Sequence, residues 1–301
     1  MEFIGKTRID FMGMKKISFT ISAIISIIGI FAIIQISLGS ANMGTDFTGG
    51  TVLQLRFQKP IPMDQARKAL TRSGMEVSLQ EIKGDNQMLI KVGKANVAMG
   101  KVSDAVQEVF RKEFAANPFT VDSSSEIGPS IGDKLRKDTL IAVLIAFVGI
   151  ILYIAWRFDF KFGISAVVAT AHDVLAIFAV FYLLNKEVNL LLITAVLTIA
   201  GYSLTDTVVV FDRIRENLRK NLKESLHNIF NASINEVLSR TIITGLTTLL
   251  AALSLFFFGG EVIHDFAFAL SFGVIIGTYS SVFVASPIVE LLENRGKPAK
   301  V

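Results

Sequence analysis

Six long apolar stretches, separated by polar segments of very different lengths, dominate the pattern of hydrophobic and polar residues along the chain. Each stretch is close to the roughly 20 residues that an α-helix needs to cross a bilayer. The pattern therefore predicts six transmembrane helices, at residues 17–38, 139–156, 162–184, 190–211, 241–258 and 266–292.

The polar segment between the first two stretches, residues 39–137, has the pattern of a folded domain. Apolar and polar residues alternate in Thr51–Phe57, which is typical of a half-buried strand. Pro62–Gly74 and Val97–Phe114 have the spacing of amphipathic helices, and Asp64 is the expected N-cap of the first. Further strands are predicted at Val77–Ile82, Gln87–Val92 and Thr120–Ile127. The order β-α-β-β-α-β predicts a small ferredoxin-like α+β domain.

The other polar segments are short, except for residues 212–240, which are highly charged and predict an interfacial or cytoplasmic helix. Basic residues favour the cytoplasmic side of a membrane. They concentrate in the head at residues 1–16, in the segment 212–240 and in the tail at residues 293–301. Both termini are therefore expected in the cytoplasm, and the domain at residues 39–137 is expected on the outer, periplasmic side.

Composition narrows the possible functions. Of the 301 residues, 51% are hydrophobic, which is too apolar for an ordinary soluble domain. The chain has no cysteine, which excludes disulfides and thiolate metal sites. It also has no signature of a zinc protease, a hydrolase nucleophile or a nucleotide-binding loop, so we expect neither enzyme activity nor a cofactor. The basic residues lie at the ends of apolar stretches, and this distribution argues against a nucleic-acid partner.

A carboxylate, Asp206, lies inside the apolar part of the fourth stretch. An acid at that depth costs about 2.5–3.5 kcal/mol on insertion scales, so it is either hydrogen-bonded by its neighbours or part of an ion or proton path. Arg240 opens the fifth stretch and can lie beside Asp206 if the two helices are antiparallel neighbours. Such a pair favours the charged form of the acid. The alternative is that Arg240 is a snorkelling arginine at a helix end.

The third stretch carries a second candidate, the pair His172 and Asp173. Histidine is the side chain whose charge changes near neutral pH. Adjacent residues are about 100° apart on a helix, so the two side chains are not expected to face one direction. Asp173 is the stronger proton-relay candidate, and the alternative for His172 is a hydrogen bond to a neighbour.

Small and hydroxylated residues accompany these charged positions. Their ordinary role in membrane helices is close packing and interhelical hydrogen bonding, and Gly273, Gly277, Ser280 and Ser281 in the sixth stretch fit it. The sharper interpretation is a hydrated path beside Asp206. The candidates for lining that path are Thr205, Thr207, Thr241 and Thr244.

A glycine-rich segment joins the first stretch to the domain at residues 39–137. Glycine permits tight turns and close approach of the backbone to other groups. No Lys-Ser/Thr follows, so the segment lacks the pattern of a phosphate-binding loop. It is a candidate hinge of the domain, with Gly44, Asp46, Gly49 and Gly50 as its residues.

Seven stretches, in order from the first apolar stretch to the last, resemble the SecF members of the SecD/SecF family of protein translocase subunits. They are GTDFTGG at Gly44–Gly50, EIGPSIGDKL at Glu126–Leu135, AHDV at Ala171–Val174, GYSLTDTVVVFDRIREN at Gly201–Asn217, SRTIITGLTTLLAAL at Ser239–Leu253, FGG at Phe258–Gly260 and GTYSSVFVASP at Gly277–Pro287. The sequence departs from the family at Gly245 and Leu204, where serine and isoleucine are expected.

The resemblance implies a half of a resistance-nodulation-division transporter fold, paired with the six-span subunit SecD. It also implies association with the SecYEG channel, often with YajC, and use of the proton gradient to help preproteins cross the cytoplasmic membrane. The charged residues of the family map onto Asp206 and Arg240, with a role in proton transfer. Two alternatives remain, a proton-coupled efflux or lipid transporter half and a membrane scaffold in which the acids are structural.

Overall fold

A computed structural model of the chain describes residues 7–82, 86–95 and 100–295. Parts of the predicted head and tail, and the start of the helix predicted at Val97–Phe114, lie outside these residues. The described chain divides into two compact units. The helical unit comprises Met1–Asn42 and Ala142–Val301, and the α+β unit comprises Met43–Ile141.

The helices and strands follow the order that the hydrophobic pattern predicts, apart from an additional short helix before the first strand and the segment 212–240. The helices are α1 (Lys15–Ser37), α2 (Thr45–Thr48), α3 (Met63–Arg72), α4 (Val102–Glu113), α5 (Pro129–Arg157), α6 (Phe160–Leu183), α7 (Leu190–Lys220), α8 (Leu226–Phe258), α9 (Glu261–Ser280) and α10 (Ser286–Arg295). The strands are β1 (Gly50–Phe57), β2 (Met75–Ile82), β3 (Gln87–Ala95) and β4 (Phe119–Ile127). A 3₁₀ turn at Met12–Met14 precedes α1, and a π-helical turn at Ser281–Ala285 joins α9 to α10.

The α+β unit contains a four-stranded antiparallel sheet in the order β2-β3-β1-β4. Leu53 of β1 lies opposite Ile90 of β3 on one side and Ser124 of β4 on the other. This strand order, with α3 after β1 and α4 after β3, confirms the predicted ferredoxin-like α+β class.

One face of this sheet forms the core of the α+β unit with α3 and α4. Alternate side chains of β1, including Leu53 and Leu55, are fully buried there against Leu70 of α3 and Phe110 of α4. Burying a side chain of this size stabilises the fold by about 1.5–3 kcal/mol. The predicted N-cap is wrong, because Pro62 occupies that position and Asp64 lies in the first turn. An acid there still favours the helix through its dipole.

The helical unit and α5 supply the membrane-length helices. Six helices are long and apolar enough to cross a bilayer, as predicted: Met12–Ser37, Pro129–Arg157, Phe160–Leu183, Leu190–Lys220, Leu226–Phe258 and Val262–Glu293. Several extend past the predicted spans, because polar turns continue the same helices at their ends. The limits of the membrane itself stay predictions.

The charged segment 212–240 does not form a separate helix, which corrects the sequence-based expectation. Instead, α7 and α8 both extend into it and leave only a short connection. Its charges pair within and between these helices, since Arg213 bonds Glu216 on α7 and Glu236 on α8, each at 2.5 Å. Ser225 caps α8 by accepting the backbone N–H of Asn228. Paired charges and this cap allow both helices to continue beyond their apolar parts.

The segment before α1 is fastened to α8 by asparagine side chains. Asn235 both donates to the Ile9 carbonyl and accepts from the Ile9 N–H. Asn231 donates to the Asp10 carboxylate at 2.7 Å, and the same Asp10 oxygen accepts the Gly13 N–H at 2.9 Å. Asp10 therefore joins the turn before α1 to α8.

This contact is expected to loosen in acid. The Gly13 N–H, and after it the Asn231 amide, lower the pKa of Asp10. Its stabilising contribution is therefore full above the ordinary carboxyl range, about pH 4, and is lost as the pH falls through the lowered pKa. We expect the protection of the Gly13 amide, which is its exchange rate relative to that of an unstructured peptide at the same pH, to fall on acidification. In Asp10→Asn the protection should not depend on pH in this range. Glu224→Gln, at an exposed position before α8, is the control, and an acid response that survives in Asp10→Asn would contradict the assignment.

Candidate functional site

Asp173 is fully buried in α6 and is held by hydroxyl groups from two other helices. Its Oδ2 accepts from Ser203 of α7 at 2.5 Å and from Ser280 of α9 at 2.7 Å. Its Oδ1 lies 3.0 Å from Nδ1 of His172. Gly277 permits this approach of α9 to α7, because a Cβ at that position would lie 3.0 Å from the Cβ of Ser203. The carboxylate thus binds three helices together at one point.

His172 connects this carboxylate to α1. The two adjacent side chains meet, contrary to the expectation from helical spacing, because the imidazole ring turns back to Asp173. Its ring centroid is 6.1 Å from that of Tyr279, whose hydroxyl donates to the Ser18 carbonyl of α1. Among the described residues, Nε2 of His172 has no hydrogen-bond partner. A buried polar atom without a partner is costly, and such atoms are typical of functional sites.

Asp206 is 9% exposed in α7, and one of its oxygens has a clear partner. Oδ1 accepts from the Thr241 hydroxyl of α8 at 2.9 Å. Oδ2 is buried and has no hydrogen-bond partner in the part of the chain that the structure describes. The Ser281 hydroxyl lies within interaction range of the same carboxylate. Asp206 is therefore less completely satisfied than Asp173.

Arg240 does not form the expected direct pair with Asp206. Both residues are described, and no ion pair within 4 Å joins them. Arg240 is exposed and acts on the carboxylate only over a longer electrostatic distance. The next residue, Thr241, faces Asp206 instead, and adjacent residues on a helix point about 100° apart.

The four threonines proposed to line a path fall into two groups. Thr241 and Thr207 are buried, and the Thr207 hydroxyl lies 2.9 Å from that of Ser281. Thr205 and Thr244 are exposed. The structure therefore places one of the four, Thr241, against the acid and a second, Thr207, against Ser281. Path lining stays a prediction.

The glycine-rich segment forms a tightly packed corner of the α+β unit. Gly44 caps α2, and Asp46 lies in the first turn of that helix. Gly49 has a φ of +73° and Gly50 a φ of +143°. A Cβ on Gly50 would lie 2.6 Å from the Val92 carbonyl oxygen. Backbone conformation and close packing require glycine here, and the hinge role stays a prediction.

The sequence did not predict which groups the serine hydroxyls of the helical unit would bond. Ser280 and Ser281 were expected to favour close packing and interhelical hydrogen bonds in general, without named partners, and Ser203 was not among the candidates. In the structure all three provide hydroxyl groups near the two acids. The available signal was polar residues at buried positions of apolar helices. No local pattern predicted the π-helical turn that begins at Ser281.

Family profiles match most of the chain, and named relatives match nearly all of it. The profile for "Protein export membrane protein SecD/SecF, C-terminal" matches residues 106–295, and that for the "SecD/SecF GG Motif" matches residues 42–61. The protein translocase subunit SecF of Thermodesulfovibrio yellowstonii is 52% identical over 97% of each chain. That of Calditerrivibrio nitroreducens is 40% identical over 97% of this chain and 96% of the relative. These names describe transport components, in agreement with the expectation that the chain is not an enzyme.

Two solved structures share the fold. The crystal structure of SecDF, a translocon-associated membrane protein from Thermus thermophilus, has a TM-score of 0.82 and 35% identity, and the match covers 96% of this chain but 39% of that chain. SecDF in a super-membrane-facing form has a TM-score of 0.70 and 34% identity, over 97% of this chain and 40% of that chain. The profile matches, the relatives and the shared fold together show that this multi-pass membrane protein belongs to the SecD/SecF family.

Proposed function

We propose that the chain is an auxiliary subunit of the Sec translocase that works with SecD. In this proposal, the proton motive force promotes late steps of preprotein translocation across the cytoplasmic membrane. The observation that carries it is Asp206, a nearly buried carboxylate in a membrane-length helix, one of whose oxygens lacks a partner within the described chain. An ionisable group in that position is by default a functional group in ion or proton transfer.

SecD is the proposed membrane partner. In the apolar part of α5 only 6% of the residues are buried, and in that of α8 17%, against 61% in α6. Lipid accounts for apolar exposure in any membrane helix, so exposure alone does not name a partner. The match to the SecDF structure supports a partner. It covers 39% of that chain, so the larger part of the SecDF chain lies outside the SecF-like part.

The remaining partners are proposed from the family resemblance, and the orientation is proposed from the distribution of basic residues. We propose association with the SecYEG channel, and with YajC where it is present. The positive-inside rule places both termini in the cytoplasm and the α+β unit on the outer side of the cytoplasmic membrane. The names of the relatives favour translocation over the efflux or lipid-transport alternative.

The energy available is sufficient for a conformational role. One proton that crosses 100 mV releases about 2.3 kcal/mol. Since 1.4 kcal/mol is tenfold in an equilibrium constant, one proton can shift the ratio of two conformations by about fifty-fold. Such a shift can promote late translocation without ATP hydrolysis by this chain.

Vesicles that contain SecYEG and SecA, with or without SecD and this chain, test the proposal. We expect an imposed proton gradient to accelerate release of a preprotein only when both SecD and this chain are present. An ionophore that collapses the gradient should remove that acceleration. The same acceleration in vesicles that lack this chain would contradict the proposal.

A further inference from the structure

The carbonyl oxygen of Gly277 in α9 lies within hydrogen-bond distance of two serine hydroxyls, that of Ser280, which bonds Asp173, and that of Ser281, which bonds Thr207. The Ser280 hydroxyl is 3.1 Å from it and the Ser281 hydroxyl 3.0 Å. The backbone N–H of Ser281 donates to the same oxygen. A carbonyl oxygen has two lone pairs, so the backbone bond leaves one for two hydroxyl groups. The two serines therefore compete for a single acceptor position.

Each serine hydroxyl also has a second hydrogen-bond partner, which lies on α6 for Ser280 and on α7 for Ser281. The Ser280 hydroxyl can donate instead to Oδ2 of Asp173, at 2.7 Å. The Ser281 hydroxyl can donate instead to Oγ1 of Thr207, at 2.9 Å, and it also lies within range of Asp206. A hydroxyl group has one proton to donate, so each serine serves one acceptor at a time.

The protonation state of Asp173 therefore determines which acceptor each serine hydroxyl donates to. When Asp173 is ionised, Ser280 donates to it and the Gly277 carbonyl is left to Ser281. When Asp173 binds a proton, Ser280 can donate to Gly277. Ser281 must then donate towards Thr207 or Asp206. Each hydroxyl keeps its own proton throughout, so the only net change is the proton bound by Asp173.

Burial and backbone geometry favour this exchange. Thr207, Ser280 and Ser281 are each at most 1% exposed, and hydrogen bonds in such surroundings are stronger than in water. The π-helical turn begins at Ser281, and the Ser286 hydroxyl donates to the Ser281 carbonyl at 2.9 Å. π-Turns within helices occur frequently at functional sites.

Other titratable and charged groups surround both acids. His172 contacts Asp173, and Tyr279 lies beside the His172 ring. Tyr202 and Arg240 both interact electrostatically with Asp206. These groups are the same in every serine variant described below, so they do not account for differences between those variants.

We propose that Ser280 and Ser281 are positioning residues that transmit the protonation state of Asp173 to Asp206 by exchanging the Gly277 carbonyl between them. The proposal rests on the proposed function and deepens it, since it makes Asp173 a second proton-binding group coupled to the first. It concerns the chain itself, so its test does not require translocation.

Infrared spectroscopy of the full chain in lipid vesicles tests the coupling. The carboxyl band of Asp206, identified by its loss in Asp206→Asn, is followed as the pH is changed. We expect Asp173→Asn to move the midpoint of that titration by about one pH unit, the coupling at which two groups titrate as a pair. In a chain that carries both Ser280→Ala and Ser281→Ala, Asp173→Asn should shift the Asp206 midpoint by less than about half of the shift that it causes in the unaltered chain.

Ser203→Ala is the matched control, because Ser203 donates to the same oxygen of Asp173 and has no hydrogen bond to the Gly277 carbonyl among the described residues. We expect the coupling to survive in this variant. The proposal would be overturned if Asp173→Asn moved the Asp206 midpoint equally in the unaltered chain and in the Ser280→Ala, Ser281→Ala double variant, or moved it in neither. Loss of the coupling in Ser203→Ala would also overturn it. If Asp173→Asn does not fold, Ser280→Ala alone must move the Asp206 midpoint more than Ser203→Ala does. Export assays can fail without affecting these spectra, so the two proposals are tested separately.

Discussion

Replacing Asp206 with asparagine is expected to reduce gradient-dependent preprotein export by about tenfold or more. The amide has nearly the same volume and can still accept the Thr241 hydroxyl, so the contact between α7 and α8 is retained. It cannot change charge by binding a proton. The loss is bounded at about fifty-fold, the shift that one proton crossing 100 mV can supply. The measurement is export from vesicles with SecD and SecYEG, with and without an imposed gradient.

Asp212→Asn is the matched control on the same helix. The Asp212 side chain is 43% exposed and pairs with Arg157 at 2.6 Å. An exposed pair of this kind contributes about 0–1 kcal/mol to stability, so little change in export is expected. A normal gradient response in Asp206→Asn, with both variants folded, would mean that the acid is structural, as in the scaffold alternative.

The second large effect is expected in the α+β unit. Gly50→Ala forces a side chain onto a backbone with φ of +143° and places a Cβ 2.6 Å from the Val92 carbonyl oxygen. Strain of this kind and the displacement of β3 are together expected to cost about 3 kcal/mol of unfolding free energy. Amide exchange in β1 and β3 should then accelerate by about a hundredfold.

Gly93→Ala provides the comparison for Gly50→Ala. Gly93 is the neighbour of Val92 in β3, and a Cβ there meets no atom within 4 Å. We therefore expect exchange close to that of the unaltered chain. If Gly50→Ala exchanges as slowly as Gly93→Ala, the corner tolerates a side chain, and a flexible hinge becomes the better explanation for the glycines.

Periodicity predicted the elements of the fold because it reports which face of each element is buried. The alternation in Thr51–Phe57 corresponds to β1, whose buried side chains face α3 and α4. The segment 212–240 was misjudged because its charges were taken to end a membrane helix. Their pairing with one another, as in Arg213 and Glu236, depends on a neighbouring helix and has no local signal.

The sequence predicted the acidic residues of the candidate site, but it did not predict their hydrogen-bond partners. Asp206 and Asp173 stand out because a charge in an apolar run is costly wherever the helix lies. Which residue faces them depends on the rotation of the adjacent helix, which one sequence does not reveal. Arg240 and Thr241 are an example. The rotation of α8 brings the hydroxyl group of Thr241 to Asp206, and the neighbouring cation, Arg240, which was the expected partner, faces elsewhere.

The acid site lies far from the ends of α7 and α8, so even a small tilt at that site would move those ends by a larger distance. At a rise of 1.5 Å per residue, about 21 Å of helix separates Asp206 from the end of α7. Asn217 bonds both Ser233 and Glu236 of α8, which ties the extension of α7 to that of α8. On this geometry, a tilt of about 5° at the Asp206–Thr241 contact displaces the far tip by about 2 Å.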